Sequence, residues 1–233
     1  MMGIFAIIFW ICIGGILHTY LLYPLLLRWW AAGKEGPKPA QTLPEPLPFM
    51  SVLLSAYNEE AVLEAKLQNL LELDYPPGRI RFFVGSDGSS DKTNELLKAF
   101  GDRSAYEVFL FEERRGKPSV LNDLAHEAQK AYPGSDHIFL LTDASVLIDP
   151  RTPKLLVRHF QDQTIGLVDT RMVHTGLEAS GISKSEDLYI SREVQIKDQE
   201  SRLWGTMIGP FGGCFALRAE LYEPLPPNYL VDD

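Results

Sequence analysis

The chain has 233 residues, of which 45% are hydrophobic and 11% aromatic, so it can bury a sizeable core and is not generally disordered. Its 22 basic and 31 acidic residues give a formal net charge of −9, which argues against nucleic acid as a partner. Cys12 and Cys214 form neither a metal-binding spacing nor a disulfide framework, and a reducing compartment fits them.

Residues 1–30 are predicted to form a transmembrane anchor. No Asp, Glu, Lys or Arg precedes Arg28, and a helix of this length crosses a hydrocarbon core of roughly 30 Å. The segment lacks the basic start and the cleavage site of a signal peptide, so we expect it to be retained. Arg28, Lys34 and Lys38 follow the span. By the positive-inside rule, the remainder is predicted to lie on the cytoplasmic face of the cell membrane.

A proline-rich linker at 31–48 is predicted to separate the anchor from a single domain at 49–233. In this domain, short apolar runs typical of strands alternate with amphipathic segments typical of helices. The predicted strands are 49–56, 81–85, 106–111, 136–141 and 165–173. One predicted helix follows Asn58, which is expected to be its N-cap, others cover 91–100, 119–131 and 149–162, and 183–204 is a long amphipathic segment. This alternation predicts an α/β fold, a mostly parallel Rossmann-like sheet with helices on both faces.

Two carboxylates are predicted at the carboxyl ends of strands, where ligands bind in open α/β sheets. Asp87 ends the second strand, and Asp143 follows the fourth. Arg115 and Lys117 gather at the start of a helix, where the helix dipole favours a pyrophosphate. The same residue types also suit an ordinary turn with a helix N-cap and a solvated loop, so both alternatives stay open.

The motifs of two nucleotide-binding classes are absent. There is no GxxxxGK(S/T) loop, and no GxGxxG follows the first strand, which excludes a P-loop NTPase and disfavours a Rossmann dehydrogenase. A sugar-nucleotide site remains. Carboxylates at strand ends can hold a divalent ion that bridges to phosphate oxygens and makes a diphosphate a better leaving group.

Six ordered motifs resemble those of the processive-type family 2 glycosyltransferases, which include the cellulose, hyaluronan and poly-N-acetylglucosamine synthases. They are SAYNEE, SDGSSD, RGKPSVLN, TDAS, GPFGGCFALR and NYLVDD. The resemblance covers 49–233. It implies an A-type glycosyltransferase fold, a nucleoside-diphosphate sugar as donor, with a UDP-sugar expected, and inversion at the anomeric carbon.

The resemblance also implies roles for individual residues on the donor side. Ala56, Tyr57 and Glu59 would line the nucleotide pocket, and Asp87 would bind the base. Further along the chain, Arg115 and Lys117 would lie near the diphosphate, and Asp143 would open the metal-binding Asp-x-Asp motif.

On the acceptor side, Asp233 is expected to be the general base, with Asp232 supporting it. The chain departs from the family pattern at Ser145, which stands where the second Asp of the metal motif is expected, although a hydroxyl can still ligate Mg²⁺ or Mn²⁺. The family's Gln-x-x-Arg-Trp motif and later membrane helices do not occur. We therefore expect this chain to be a C-terminally truncated piece of a longer enzyme.

The function expected from these residues is metal-assisted, inverting transfer of a sugar to a saccharide or lipid-linked acceptor at the cytoplasmic membrane face. Two alternatives remain at this point. One is a nucleotidyltransferase, although such an enzyme would carry a glycine- and base-rich loop after its first strand, where this chain has the acidic SAYNEE. The other is a membrane-anchored protein that binds sugar nucleotides or acts as a scaffold without transfer activity.

Overall fold

A computed structural model describes residues 2–134, 136–173 and 181–229, without the side chains of 2 and 181–189. The helices are α1 (Met2–Leu17), α2 (Tyr23–Ala31), α3 (Leu63–Leu71), α4 (Thr93–Gly101), α5 (Lys117–Ala131), α6 (Thr152–His159) and α7 (Gly181–Trp204). The strands are β1 (Phe49–Ala56), β2 (Ile80–Asp87), β3 (Tyr106–Phe111), β4 (His137–Thr142), β5 (Leu167–Asp169) and β6 (Cys214–Arg218).

The chain divides into two compact units. One unit comprises Met1–Pro37 and Arg171–Gly209, and the other comprises Lys38–Thr170 and Pro210–Asp233. The first contains α1, α2 and α7, and the second contains the sheet with α3 to α6. The boundaries predicted from the sequence, 1–30, 31–48 and 49–233, stay predictions.

Within the first unit, Gly3–Ala31 forms a helix of 29 residues. In the part of the chain that the structure describes, it is the one helix whose length and composition suffice to cross a membrane. A π-helical turn, His18–Leu22, joins α1 to α2. The anchor predicted from the uncharged N-terminal sequence therefore corresponds to a continuous helix.

Pro24 explains the irregular turn in this helix. Because proline has no N–H, the carbonyl of Tyr20 cannot receive the usual bond from the residue four positions later. The guanidinium of Arg192, in α7, donates a hydrogen bond to that carbonyl and lies 5.8 Å from the centre of the Tyr20 ring. In addition, the Tyr23 hydroxyl donates to Glu200 at 2.5 Å. Polar contacts thus join α7 to the end of the apolar helix.

The second unit is built on a six-stranded sheet with the order β3-β2-β1-β4-β6-β5. The first four strands in this order are parallel, and β6 runs antiparallel to both of its neighbours. The predicted mostly parallel α/β fold is confirmed. The predicted strand at 165–173 is wrong in extent, because only Leu167–Asp169 pairs with the sheet.

Helices cover both faces of this sheet, because alternate side chains of each strand point to opposite sides. In β1, Val52 and Leu54 join the core that includes residues of α3, α4 and α6, whereas Leu53 joins the core beneath α5. All three side chains are 0% exposed. Burial on both faces explains why β1 reads as a continuous apolar run rather than an alternating one.

The strand order also places the predicted site residues at one edge. Since β2 and β4 both lie next to β1 and run parallel to it, their carboxyl ends lie at the same side of the sheet. Asp87 is the last residue of β2, and Asp143 follows β4 directly. This arrangement meets the expectation that the two carboxylates share an edge.

His137 provides a test of this core. Its ring is 2% exposed and lies 2.8 Å, Nε2 to Oγ, from buried Ser51, and burial lowers its pKa to about 4. Below about pH 6.5 the His137 ring is protonated in the unfolded chain, whereas in the folded chain it stays neutral down to about pH 4. The free energy of unfolding should therefore fall by roughly 3 kcal/mol between about pH 6.5 and 4. Urea unfolding across this range should show a smaller loss for His137→Gln. The control His126→Gln, at an exposed position, should lose as much stability as the unmodified chain. An equal pH dependence of the unfolding free energy in the unmodified chain and both variants would show that His137 does not cause the loss.

Candidate active site

Four loops form the candidate site at the carboxyl edge of the parallel strands. They follow β1 (57–60), β2 (88–92), β3 (112–116) and β4 (143–148). The last residues of β1, β2 and β4 are buried and that of β3 is half-buried, so the loops begin from fixed positions. The site is therefore built on rigid elements, with the variable chemistry carried by the loops.

Asp87 fixes the loop that precedes α5. Its side chain is 2% exposed, and its two oxygens accept the backbone N–H groups of Arg115 at 2.7 Å and Gly116 at 2.8 Å. These are charge-assisted hydrogen bonds, which are shorter and stronger than neutral ones. Each carboxylate oxygen has a further lone pair. The predicted contact with a nucleotide base stays a prediction.

Two glycines make this close approach possible. Gly88 has φ +68°, and a Cβ built on it would lie 2.7 Å from the backbone nitrogen of Arg114. Gly116 has φ +88° and directly precedes α5. Because L-residues with side chains rarely adopt positive φ, both turns need glycine. In the SDG and RGK motifs, the glycines therefore indicate the site as much as the charged residues do.

Lys117 and Asp143 form the charged centre of the site. The Lys117 Nζ lies 2.8 Å from Asp143 Oδ1, and the two side chains are 18% and 27% exposed. Lys117 is the first residue of α5, and Asp143 begins the turn after β4. A partly screened lysine at a helix N-terminus beside a carboxylate can bind a phosphate group and a cation side by side.

The remaining residues predicted for the nucleotide pocket surround this edge. Ala56 is 1% exposed at the end of β1, and the Arg114 guanidinium lies 3.9 Å from the centre of the Tyr57 ring. The Glu59 N–H donates to the Thr93 hydroxyl at 2.9 Å. Ala56 at the end of β1, with Tyr57 and Glu59 in the loop after it, therefore lies at the same edge as Asp87, and the role of these three residues in a nucleotide pocket stays a prediction.

The Arg115 side chain points to other partners than that of Lys117, with which it was predicted to gather at the start of the helix. Its guanidinium pairs with Asp123 at 2.7 Å and lies 4.0 Å from the centre of the Phe111 ring. Its contact with the predicted site residues is its backbone N–H, held by Asp87. A role of the Arg115 side chain in holding the donor stays a prediction.

Asn58 joins two loops of the site, so its predicted role as the cap of the first helix is wrong. It has φ 54°, and its side-chain oxygen accepts the Ser90 N–H at 2.8 Å, while its own N–H donates to the Ser89 hydroxyl at 3.1 Å. Helix α3 begins only at Leu63 and has no side-chain cap. The short polar side chain tolerates positive φ and satisfies the neighbouring loop instead.

Asp143 and Ser145 are the predicted metal ligands. Ser145 is exposed, in the same turn as Asp143. Among the residues that the structure describes, no three His, Cys, Asp or Glu side chains cluster as a metal site. Mg²⁺ is commonly held by one or two carboxylates together with substrate phosphates and water. One carboxylate and one hydroxyl beside the N-terminus of α5 are a donor set that would fit an ion shared with a diphosphate. Asp232 and Asp233 lie outside the described residues.

Two residues that the sequence patterns did not indicate support the turn after β4. Lys66 is 0% exposed, and its ammonium donates to the Thr142 hydroxyl at 2.8 Å and to the Val146 carbonyl. Asn69 exchanges two hydrogen bonds with the backbone of Ile148. The available signal was a lysine on the same helical stripe as the buried leucines of α3.

The fold and this edge define the chain as an A-type glycosyltransferase domain. Its structure is similar to that of the mannosyltransferase PcManGT from Pyrobaculum calidifontis, solved in complex with GDP-Man and Mn²⁺. The TM-score is 0.71 and the sequence identity 25%, over 92% of this chain and 58% of the other.

The sequence identifies the family. The family described as "Glycosyl transferase family 2" matches residues 51–225, and the chain belongs to it. It is 27% identical to a beta-monoglucosyldiacylglycerol synthase of Trichormus variabilis over 68% of this chain and 33% of that protein. It is 30% identical to a poly-beta-1,6-N-acetyl-D-glucosamine synthase of Staphylococcus epidermidis over 48% of this chain and 25% of that protein. The chain spans a third or less of the length of these curated relatives, and the resemblance read from its motifs is confirmed.

Replacing Asp87 tests whether its carboxylate organises the site. Asp87→Ala leaves the N–H groups of Arg115 and Gly116 without their acceptor. Hydrogen bonds to charged groups contribute about 1.5–3 kcal/mol each, so the loss of these two should lower the free energy of unfolding by about 3–6 kcal/mol. The control Asp123→Ala breaks an exposed pair with Arg115 and should cost less than about 1 kcal/mol. Similar unfolding free energies for the two variants would show that Asp87 does not have this role.

Proposed function

We propose that this chain provides the donor-binding part of an inverting glycosyltransferase. The enzyme transfers a sugar from a nucleoside-diphosphate sugar to a hydroxyl group of a saccharide or lipid-linked acceptor at the cytoplasmic face of the membrane. The observation that carries the proposal is the pair of Lys117 and Asp143 at the N-terminus of α5, in a chain of family 2. Two relatives support this range of acceptors, the beta-monoglucosyldiacylglycerol synthase and the poly-beta-1,6-N-acetyl-D-glucosamine synthase.

The start of α5 is the proposed diphosphate site. Lys117 supplies a positive charge, the helix dipole adds to it, and Asp87 fixes the backbone immediately before it. Positioning and electrostatic stabilisation of a leaving group are the main contributions that preorganised donors make to such reactions. Here Lys117 would stabilise negative charge on the diphosphate as its bond to the sugar breaks.

Asp143 and Ser145 would hold Mg²⁺ or Mn²⁺ together with the diphosphate. When bound, the ion supplies Lewis-acid stabilisation of the departing diphosphate. The Mn²⁺ present with GDP-Man in the mannosyltransferase structure supports this proposal.

The base of the donor is proposed to lie against the loop after β1. Ala56, Tyr57 and Glu59 would form its wall, and the remaining lone pairs of Asp87 would accept a hydrogen bond from it. We propose uracil as the base and therefore a UDP-sugar as the donor, with GDP-sugars as the comparison in every binding experiment.

The acceptor hydroxyl would be activated by Asp233, with Asp232 supporting it. In inversion, the bond from the acceptor oxygen to the anomeric carbon forms on the face opposite the breaking bond to phosphate. The hydroxyl proton passes to the Asp233 carboxylate, and the diphosphate leaves with the electron pair of the broken bond. The proposal rests on the position of NYLVDD in the family pattern.

A second candidate is binding of the sugar nucleotide without transfer. Ser145 favours it, because the loss of one carboxylate weakens the expected ion site. Transfer of radiolabelled sugar from a UDP-sugar by the full-length protein distinguishes the two. Donor binding without any transfer or hydrolysis would support the second candidate.

Lys117→Ala tests the diphosphate site. Loss of a charge-assisted contact worth about 1.5–3 kcal/mol should weaken binding of a UDP-sugar roughly tenfold or more, as measured by calorimetry. The control is Lys130→Ala in the same helix, whose exposed ammonium pairs with Glu127. It should bind the donor like the unmodified chain, and an equal affinity in both variants would refute the site.

Asp233→Asn tests the proposed base in the full-length protein. General-base catalysis typically contributes about 10²–10⁴-fold, so turnover should fall by that order while donor affinity is retained. Asp232→Asn serves as the comparison. Loss of turnover in Asp232→Asn alone would reverse the two roles.

The orientation of the membrane helix can be tested in intact cells. The bases that follow the span support a cytoplasmic domain, with access to sugar nucleotides of the cytosol. Protease added outside should leave the domain uncut, and should digest it after the cells are permeabilised. Digestion from outside would place the domain on the other face.

A further inference from the structure

We propose that Lys66 and Asn69 are positioning residues that hold the turn 143–148 so that Asp143 and Ser145 stand at the diphosphate site. Both residues lie on α3, which no part of the proposed reaction uses directly. The inference rests on the proposed function, because it assigns a role toward the ion and diphosphate of that site.

Lys66 holds the first half of the turn. Its ammonium donates to the hydroxyl of Thr142, directly before Asp143, and to the carbonyl of Val146, directly after Ser145. The two acceptors thus flank the predicted ligands. The Thr142 hydroxyl also bonds to the Gly213 carbonyl at 3.2 Å. Lys66 is therefore linked to both sides of the ligand segment.

Asn69 holds the second half of the turn from the next turn of the same helix. Its amide nitrogen donates to the Ile148 carbonyl at 2.9 Å, and its amide oxygen accepts the Ile148 N–H at 2.8 Å. Lys66 and Asn69 are three residues apart and lie on one side of α3. Together they hold the turn at Val146 and Ile148, and they hold Thr142 directly before it.

An apolar side chain would satisfy the packing around Lys66. Lys66 is 0% exposed, among apolar residues of α3 such as Leu63, Leu67 and Leu70. Burial lowers its pKa to about 8, so it is still protonated at neutral pH. Removing an ammonium from water costs several kcal/mol, and apolar residues of similar volume are often as stable or more so. The bonds to the turn are what a lysine provides and a leucine or methionine does not.

The test measures ion binding rather than activity. Binding of Mn²⁺ to the full chain in the presence of UDP is followed by water proton relaxation. We expect Lys66→Met and Asn69→Ala each to weaken this binding about tenfold or more, since each releases part of the turn. Thermal unfolding of every variant is measured in parallel.

Asn122→Ala is the matched control for a purely structural effect. Asn122 also exchanges two hydrogen bonds with one backbone residue, Leu225, each of 2.8 Å, and it accepts a third bond from Tyr222. Its replacement should lower thermal stability at least as much as Asn69→Ala. It should change the Mn²⁺ affinity by less than about twofold.

Other outcomes of these binding measurements would overturn the proposal. If Lys66→Met tightens Mn²⁺ binding and Asn69→Ala leaves it unchanged, Lys66 acts only through its charge and the positioning role is overturned. The same holds if both variants bind like the unmodified chain, or if Asn122→Ala weakens binding equally. If the unmodified chain binds no Mn²⁺ with UDP, the proposed donor site itself is overturned, together with the role of Lys66 and Asn69 toward it.

Discussion

The site depends on one buried carboxylate that fixes a backbone segment. Asp87 ends a strand within the sheet, and its oxygens hold the N–H groups of Arg115 and Gly116 at 2.7 and 2.8 Å. Because Gly116 directly precedes α5, these bonds determine where the helix begins and which way its N-terminus points. A buried carboxylate without partners would be costly, so the fold and this loop conformation stabilise each other.

The charged centre follows from that constraint. With the start of α5 fixed, the Lys117 ammonium lies 2.8 Å from Asp143, which directly follows β4. Asp143 is fixed independently, because its N–H donates to the Gly213 carbonyl at 3.0 Å and Lys66 holds the neighbouring Thr142. Each partner is therefore positioned by its own scaffold. Preorganisation of this kind lets fixed charges stabilise a leaving group without rearranging during the reaction.

The sequence predicted those parts of the structure that follow from chain-wide patterns. Alternation of strands and helices predicted the parallel sheet, and the positions of Asp87 and Asp143 at strand ends predicted that both lie at one edge of it. It did not predict that the Arg115 side chain would pair with Asp123, or that Asn58 would join two loops, because such local hydrogen bonds have several competing partners. The sequence did not predict that β6 runs antiparallel to its neighbours, because an apolar run carries no information about strand direction.

Hydrogen exchange of the backbone amides, with and without a UDP-sugar and Mn²⁺, tests the central claim most directly. Donor binding should slow exchange in two separated segments, the loop and helix start at 113–119 and the turn at 143–148. Amides of α6 should be unaffected. Protection confined to other parts of the chain, or unchanged exchange in these two segments, would show that they do not hold the donor.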